Sequence, residues 1–177
     1  PLSSHINIMM NQLGFLMRGE IIWDKSASAG SSCAWGSFQS ASNPCLRDVH
    51  EYLLVFSKGN YKLMREKSER TEGRIDTIPR DDFIHHTKSI WSFPTERASR
   101  VNHPAPFPVE LPKRCIEMYS FAGDIVLDPV NGSGSTCVAA KMTGRTYIGV
   151  DLSEEYCEIA QNRLDETEAW IAPVVEV

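Results

Sequence analysis

Apolar residues in the first part of the chain recur in patterns that predict one helix and then two strands. Short runs at residues 20–23 and 52–56, apolar apart from Glu20, predict the strands. Between them, residues 24–43 are rich in Ser, Ala and Gly and show no periodicity, so we predict a long loop. The helix precedes Gly14 and is predicted by four apolar residues at helical spacing: Ile6, Met9, Met10 and Leu13.

A clearer pattern follows near the end of the chain: a strand, a glycine-containing loop, a helix and a second strand. Residues 125–127 are uniformly apolar, which is typical of a strand buried on both faces. The small-residue loop 131–136 leads into a helical pattern at 137–142, and Gly144 is placed to end that helix. A second strand at 147–150 completes a β-α-β unit. An α/β fold is therefore predicted.

Each strand of this unit is followed by an acid, Asp128 after the first and Asp151 after the second. In open α/β sheets ligands bind at the carboxyl ends of the strands, so both acids are candidate ligand contacts. Asp151 follows Gly134 by 17 positions, near the spacing at which a carboxylate accepts from ribose hydroxyls. Asp128 can accept from another donor, such as an ammonium group. Gly132 and Gly134 allow close backbone approach because they lack Cβ atoms.

The loop differs from the common phosphate-binding loops. A GxGxxG loop would have a third glycine where this chain has Cys137, and no Gly-Lys-Ser/Thr follows as in a phosphate loop. The expected ligand is therefore a nucleoside without a pyrophosphate. A plain strand–turn–helix with a structural glycine turn is the alternative, and the two strand-end acids weigh against it.

Composition is that of a globular domain, since 42% of the 177 residues are hydrophobic and 23% are charged. No apolar run approaches the ~20 residues of a membrane span, so we expect a cytoplasmic protein without membrane contact. No CxxC or Cys/His spacing is present, and no metal site is predicted.

The net charge of −5 argues against a nucleic-acid partner, but residues 58–80 carry seven bases and four acids. The excess of basic residues in that segment is typical both of a solvated surface and of a phosphate-binding surface, and the two interpretations are equally plausible.

Three blocks of the chain resemble motifs of S-adenosylmethionine-dependent DNA amino-methyltransferases. Residues 128–136, DPVNGSGST, resemble motif I, and YIGVD with SEEYCEIAQNRL at 147–151 and 153–164 resembles motif II. Residues 103–112, HPAPFPVELP, resemble motif X. Motif X precedes motif I here, which is the order of the β class of that family.

This resemblance implies S-adenosylmethionine as the cofactor and a Rossmann-like methyltransferase sheet flanked by helices. It also implies that the sheet is incomplete, because the family places the central strands before the blocks found here. We expect the β-α-β region to be residues 101–165. The cofactor contacts it implies are Pro106, Phe107, Asp128, Pro129, Gly132, Ser133, Gly134, Thr136 and Asp151.

The same resemblance implies double-stranded DNA as a partner, with a homodimer and a cognate restriction endonuclease as further candidates. We predict one partial methyltransferase domain over 1–177, with a helix and strand pair at 1–58 and a target-recognition insert at 59–100. The basic residues that we expect to contact DNA in that insert are Lys62, Arg65, Lys67, Arg70 and Arg74.

The family's catalytic tetrad, (Asp/Ser/Asn)-Pro-Pro-(Tyr/Phe), is not in this sequence. Its acceptors bind the target amino group while its aromatic ring stacks on a base flipped out of the duplex. We therefore assign no catalytic residue, expect the tetrad upstream of Pro1, and expect the chain alone to be inactive. Adenine N6 and cytosine N4 both stay open as targets. A non-catalytic cofactor- or DNA-binding remnant is the alternative, and the missing third glycine disfavours a Rossmann dehydrogenase.

Overall fold

The computed structural model describes residues 2–28, 46–62, 74–96 and 107–172. The chain divides into two compact units. The first comprises Pro1–Glu69 with Thr87–Pro94, and the second comprises Arg70–His86 with Thr95–Val177. The predicted loop at 24–43 lies mostly outside the described residues.

A three-stranded sheet forms the first unit, with strand order β2-β1-β3. Strands β1 and β2 are antiparallel, whereas β1 and β3 are parallel. Both strands predicted from the sequence form, and each is longer than predicted. The elements are helix α1 (Leu2–Gln12), β1 (Phe15–Asp24), a 3₁₀ turn (Ser26–Ser28), β2 (His50–Lys58) and β3 (Ile90–Ser92).

Two tryptophans form the best-buried part of this first unit. Trp23 in β1 and Trp91 in β3 are 2% and 1% exposed. The Trp23 ring stacks on Phe93 at 5.4 Å between centroids, and its indole N–H donates to the Phe93 carbonyl at 3.0 Å. The sequence-predicted helix α1 forms, yet none of its residues is buried.

The second unit contains the predicted β-α-β arrangement. Strands β4 and β5 are parallel neighbours in a separate two-stranded sheet. The helix between them begins at Ser135, two residues before the predicted start, and helix α2 was not predicted. The elements are α2 (Arg80–His86), α3 (Glu110–Tyr119), β4 (Ile125–Asp128), α4 (Ser135–Met142), β5 (Thr146–Gly149) and α5 (Glu154–Asp165).

Helix α4 lies at the centre of this second unit. Ala139 and Ala140 have no exposed surface, and they pack with Ile116 of α3. Helix α4 also contributes Val138 to a second cluster with Leu164 of α5. Small residues let neighbouring elements approach α4 closely, and the core of this unit is correspondingly compact.

The prediction that β4 is buried on both faces is wrong for the described residues. Val126 packs against the core, but Ile125 and Leu127 are 67% and 61% exposed. Successive strand residues point to opposite faces, and helix α4 covers only the face that carries Val126. The described strands also form two separate sheets, as the implied interruption of the sheet predicts.

Within the described ranges, every helix is too short or too polar to span a bilayer.

Candidate functional site

The carboxyl ends of β4 and β5 lie side by side and bring Asp128 and Asp151 to the same edge of the sheet. Asp128 pairs with Gly149 across the parallel strands. Beyond the strands, the Val150 N–H donates to the Asp128 carbonyl and the Asn131 N–H donates to the Val150 carbonyl, both at 2.9 Å. The juxtaposition of two strand-end acids that the sequence predicts is therefore present.

The Asp151 carboxylate holds the glycine loop in place. It accepts from the Gly132 N–H at 2.8 Å through one oxygen and from the Ser153 N–H at 2.9 Å through the other. Ser153 in turn caps α5, because its hydroxyl accepts from the Tyr156 N–H at 3.3 Å. Sequence reasoning missed this linking role of Asp151. A ribose contact from the same side chain stays a prediction.

Asp128 shapes the turn that leaves β4. Its Oδ1 atom accepts from the Val130 N–H at 3.0 Å, which is an Asx-type turn. Asp128 is half-buried, whereas Pro129 and Val130 are exposed beyond it. The turn keeps the carboxylate at the strand end, where an ammonium group of a ligand is its expected partner.

Both loop glycines adopt the left-handed backbone conformation, with φ of 51° at Gly132 and 82° at Gly134. A Cβ atom added at Gly134 would lie 2.7 Å from the Cβ atom of Ala160 in α5. The sequence interpretation attributed this glycine to close approach of a ligand. Contact with α5 already requires it, because no larger residue fits between loop and helix.

Cys137 occupies the position where a dinucleotide loop has its third glycine. Its thiol donates to the Asn131 side-chain oxygen at 3.2 Å, and burial raises the pKa of that thiol to about 11. A Cβ atom added at Gly149 would lie 2.6 Å from the Asn131 side chain and 2.8 Å from the Cys137 sulfur. The loop interior is thus filled by Asn131 and Cys137 on the side that faces β5.

Ser133 is buried, and Arg163 of α5 forms hydrogen bonds to it. The Nη1 atom of Arg163 lies 2.5 Å from the Ser133 carbonyl oxygen, 3.1 Å from the Ser133 hydroxyl and 3.3 Å from the Ser135 hydroxyl. Burial lowers the pKa of the Arg163 guanidinium, which still remains protonated in proteins. Sequence reasoning missed Arg163. Its position three residues after Ala160, on the same helix face, becomes informative only once α5 is known to pack against the loop.

Helix α4 begins directly behind the loop, with Gly134 at its N-cap. Glycine supplies no side-chain acceptor, and the first-turn N–H groups of a helix are donors of the kind that bind anions. The Ser135 hydroxyl donates to the Phe107 carbonyl at 3.1 Å, which joins the predicted motif X segment to the helix start. Thr136 is half-buried in the first turn, and Pro106 lies outside the described residues.

The predicted DNA contacts are described at two of five positions. Lys62 is exposed in the first unit, and Arg74 is exposed in the second. The Arg74 guanidinium lies 5.5 Å from the centre of the Phe121 ring. The other three, Arg65, Lys67 and Arg70, lie outside the described residues.

Comparison with known proteins identifies the family. A family model described as DNA methylase, of the N6/N4 type, matches residues 2–162. The chain belongs to the N6/N4 DNA methylase family. The match includes both strand-end acids, the glycine loop and most of α5.

Relatives of this methylase chain include a type II enzyme and an adenine-specific one. The type II methyltransferase M.MthZI of Methanothermobacter thermautotrophicus is 31% identical over 87% of this chain and 45% of its own length. The DNA adenine methyltransferase YhdJ of Escherichia coli is 30% identical over 85% of this chain and 53% of its own length. The methylase chain thus spans about half the length of these relatives.

A solved methylase-family neighbour confirms the fold class. The protein TTHA0409 of Thermus thermophilus, solved in complex with S-adenosyl-L-methionine, superposes with a TM-score of 0.71 at 29% identity. The superposition covers 94% of this chain and 60% of that chain. The predicted Rossmann-like α/β methyltransferase fold is therefore correct.

Proposed function

We propose that this chain is the cofactor-binding part of a DNA methyltransferase that transfers a methyl group from S-adenosylmethionine to adenine N6 or cytosine N4. The observation that carries the proposal is the pair of acids, Asp128 and Asp151, at one sheet edge beside a left-handed glycine loop. Family membership and the cofactor-bound neighbour TTHA0409 support it.

The residues at this edge fit the chemistry of S-adenosylmethionine. Asp151 offers a carboxylate for the ribose hydroxyls, and Asp128 offers one for the amino group of the methionine part. The amino end of α4 suits the methionine carboxylate, because first-turn N–H groups and the helix dipole favour an anion. Gly132 and Thr136 lie on the loop and helix start between these groups, with Phe107 adjoining through Ser135.

S-adenosylmethionine, when bound, supplies an electrophilic methyl group on a sulfonium. The role we assign to this chain is to hold and orient that group, since alignment of nucleophile, methyl and sulfur supplies much of the rate. Acceptors for the protons of the target amine would come from a tetrad that the 177 residues do not contain. We therefore do not propose that this chain methylates DNA by itself.

DNA contact is assigned to the basic segment that contains Lys62 and Arg74. Seven bases against four acids at residues 58–80 give local positive charge in a protein of net charge −5. Phosphate contacts of this kind provide affinity without sequence information. A cognate restriction endonuclease and a homodimer are further proposed partners, the former because M.MthZI is a type II methyltransferase.

A non-catalytic cofactor- or DNA-binding remnant is the second candidate function, and the missing tetrad favours it. A duplex-DNA methylation assay distinguishes the two. We expect no transfer by the chain alone, and transfer when it is joined to a segment that carries the tetrad. Absence of transfer in both forms would favour the remnant, and transfer by the chain alone would refute the division of roles.

Substitution of Asp151 by Asn tests the cofactor assignment. Asn keeps the size but loses the charge and one of the two oxygens that accept from the Gly132 and Ser153 N–H groups, so we expect S-adenosylmethionine affinity to fall roughly tenfold by calorimetry. Asp165→Asn, on the exposed end of α5, is the matched control and should bind as the unaltered chain does. Equal affinities in all three proteins would reject the ribose contact, and binding of NAD instead would indicate a dehydrogenase-like site.

A further inference from the structure

Arg163 lies behind the glycine loop, and we propose that it is the positioning residue that holds this loop in its cofactor-binding geometry. The inference rests on the proposed function, because it concerns the same site. It adds a residue from α5 that lies outside the predicted set of cofactor contacts.

The contacts of Arg163 lie on either side of Gly134, the second of the two left-handed glycines in the loop. Its Nη1 atom is within hydrogen-bond distance of the Ser133 carbonyl, at 2.5 Å, and of two hydroxyls at 3.1 and 3.3 Å. These oxygens belong to Ser133 and Ser135, the residues before and after Gly134. A single charged group therefore contacts the backbone before Gly134, at the Ser133 carbonyl, and the side chain after it, at the Ser135 hydroxyl.

The same contacts extend to the segment before α3. The Ser135 hydroxyl accepts from Arg163 and donates to the Phe107 carbonyl at 3.1 Å. Because a hydroxyl has one proton, this arrangement fixes its direction. Arg163 thus couples the glycine loop, the start of α4 and residue 107, three segments of the predicted cofactor site.

The loop packs against the face of α5 that carries Arg163. Ala160 lies one helical turn before Arg163, and the Gly134 backbone approaches it so closely that an added Cβ atom would be 2.7 Å from the Ala160 Cβ atom. Ser133 and Ser135 are each 4% exposed, so the oxygens that Arg163 contacts belong to buried residues. We therefore assign Arg163 an effect on the cofactor that passes through the loop.

Removal of the guanidinium would leave the buried Ser133 carbonyl without this donor. An unsatisfied buried acceptor is costly, and the loop would relax toward solvent to recover a partner. The left-handed backbone and the first-turn N–H groups of α4 would then no longer be preorganised for a ligand. Cofactor affinity should fall even in protein that remains folded.

The test compares two variants that each remove a charged contact to α5. Arg163→Gln removes the loop contact, whereas Lys141→Gln removes the bond from the Lys141 ammonium to the Leu164 carbonyl at 2.7 Å. Calorimetry with S-adenosylmethionine is expected to give at least about tenfold weaker binding for Arg163→Gln. Lys141→Gln should bind like the unaltered chain, although urea unfolding shows a loss of stability in both. Arg163→Lys should recover part of the affinity, because it keeps the charge without the forked donors.

Three outcomes would overturn the inference. Normal affinity in Arg163→Gln, with normal binding by the unaltered chain, removes the positioning role and leaves the proposed function intact. An equal loss of affinity in Lys141→Gln means that Arg163 acts only through general stability. Failure of the unaltered chain to bind S-adenosylmethionine rejects the proposed function and the inference with it.

If Arg163→Gln does not fold, Arg163→Lys is used in its place. The measurement is then hydrogen exchange of the backbone amides of residues 132–136, together with cofactor affinity. Faster exchange confined to this loop, together with weaker binding, supports the inference. Unchanged exchange and affinity would overturn it.

Discussion

At the scale of single residues, Glu117 is an acid whose environment opposes its charge. It is 6% exposed in α3, and its Oε2 atom has no hydrogen-bond partner among the described residues. Burial raises the pKa of the Glu117 carboxyl above its ordinary value of 4.5, although Lys113 and Arg145 act in the opposite direction. The folded protein therefore retains a proton that the unfolded chain has already released, and stability falls as pH rises through this interval.

Replacing Glu117 by Gln should remove this pH dependence. We expect the free energy of unfolding of Glu117→Gln to exceed that of the unaltered protein above pH 4.5, with a difference that grows by up to about 1.4 kcal/mol per pH unit up to the folded-state pKa. Urea unfolding from pH 4 to pH 8 measures it. Glu158→Gln, on the exposed face of α5, should show no such trend. A constant difference across the range would contradict the raised pKa.

At the scale of elements, the contact between the glycine loop and α5 can be tested at Gly134. Gly134→Ala combines a left-handed backbone, φ 82°, with a Cβ atom 2.7 Å from that of Ala160. Gly123→Ala is the matched control, because its φ is 85° and nothing lies within 4 Å of the added atom. We expect a loss of about 1–2 kcal/mol for Gly123→Ala from the backbone alone, and at least about 1 kcal/mol more for Gly134→Ala.

Urea unfolding of both variants gives the comparison. Ala160→Gly in the Gly134→Ala background should restore part of the stability, because it removes the side chain that the new methyl group meets. Equal losses for the two single variants would show that α5 does not limit the residue at position 134.

Local signals explain which elements could be predicted. Gly144, with φ of 78°, ends α4 as its position indicates, and Ser153 caps α5 ahead of two acidic residues. Helix α2 was missed although Asp81 and Asp82 lie in its first turn and His85 and His86 in its last. Seven residues are too few for apolar periodicity to identify a helix reliably.

The sequence predicted only those site residues that directly follow a strand. Asp128 and Asp151 were found because each follows an apolar run, and parallel strands bring such ends together. Arg163 could not be assigned from sequence, because its partner Ser133 is 30 positions away and the contact depends on how α5 packs. The structural requirement for glycine at position 134 was likewise tertiary, because Ala160 of α5 occupies the space that a side chain would need.

At the scale of the whole molecule, the sheet of β4 and β5 has one apolar face without cover in the described part of the chain. Leu127 pairs with Ile148 across the strands, and these residues are 61% and 50% exposed. Ile125 and Val150 share that face by strand alternation. Two strands with an open apolar face make a marginal sheet, so association of the isolated chain in solution is expected.

The double variant Leu127→Thr with Ile148→Thr tests whether this face is open in solution. Threonine retains strand propensity and replaces exposed apolar surface, so the free energy of unfolding should change by less than about 1 kcal/mol. Self-association, followed by sedimentation velocity over a concentration series, should decrease. Val126→Thr, on the opposite face of the same strand, puts a hydroxyl into the core and should cost about 1–3 kcal/mol. If the double variant lost as much stability as Val126→Thr, this face would have to be covered in the folded chain, and the uncovered sheet could not be the cause of association.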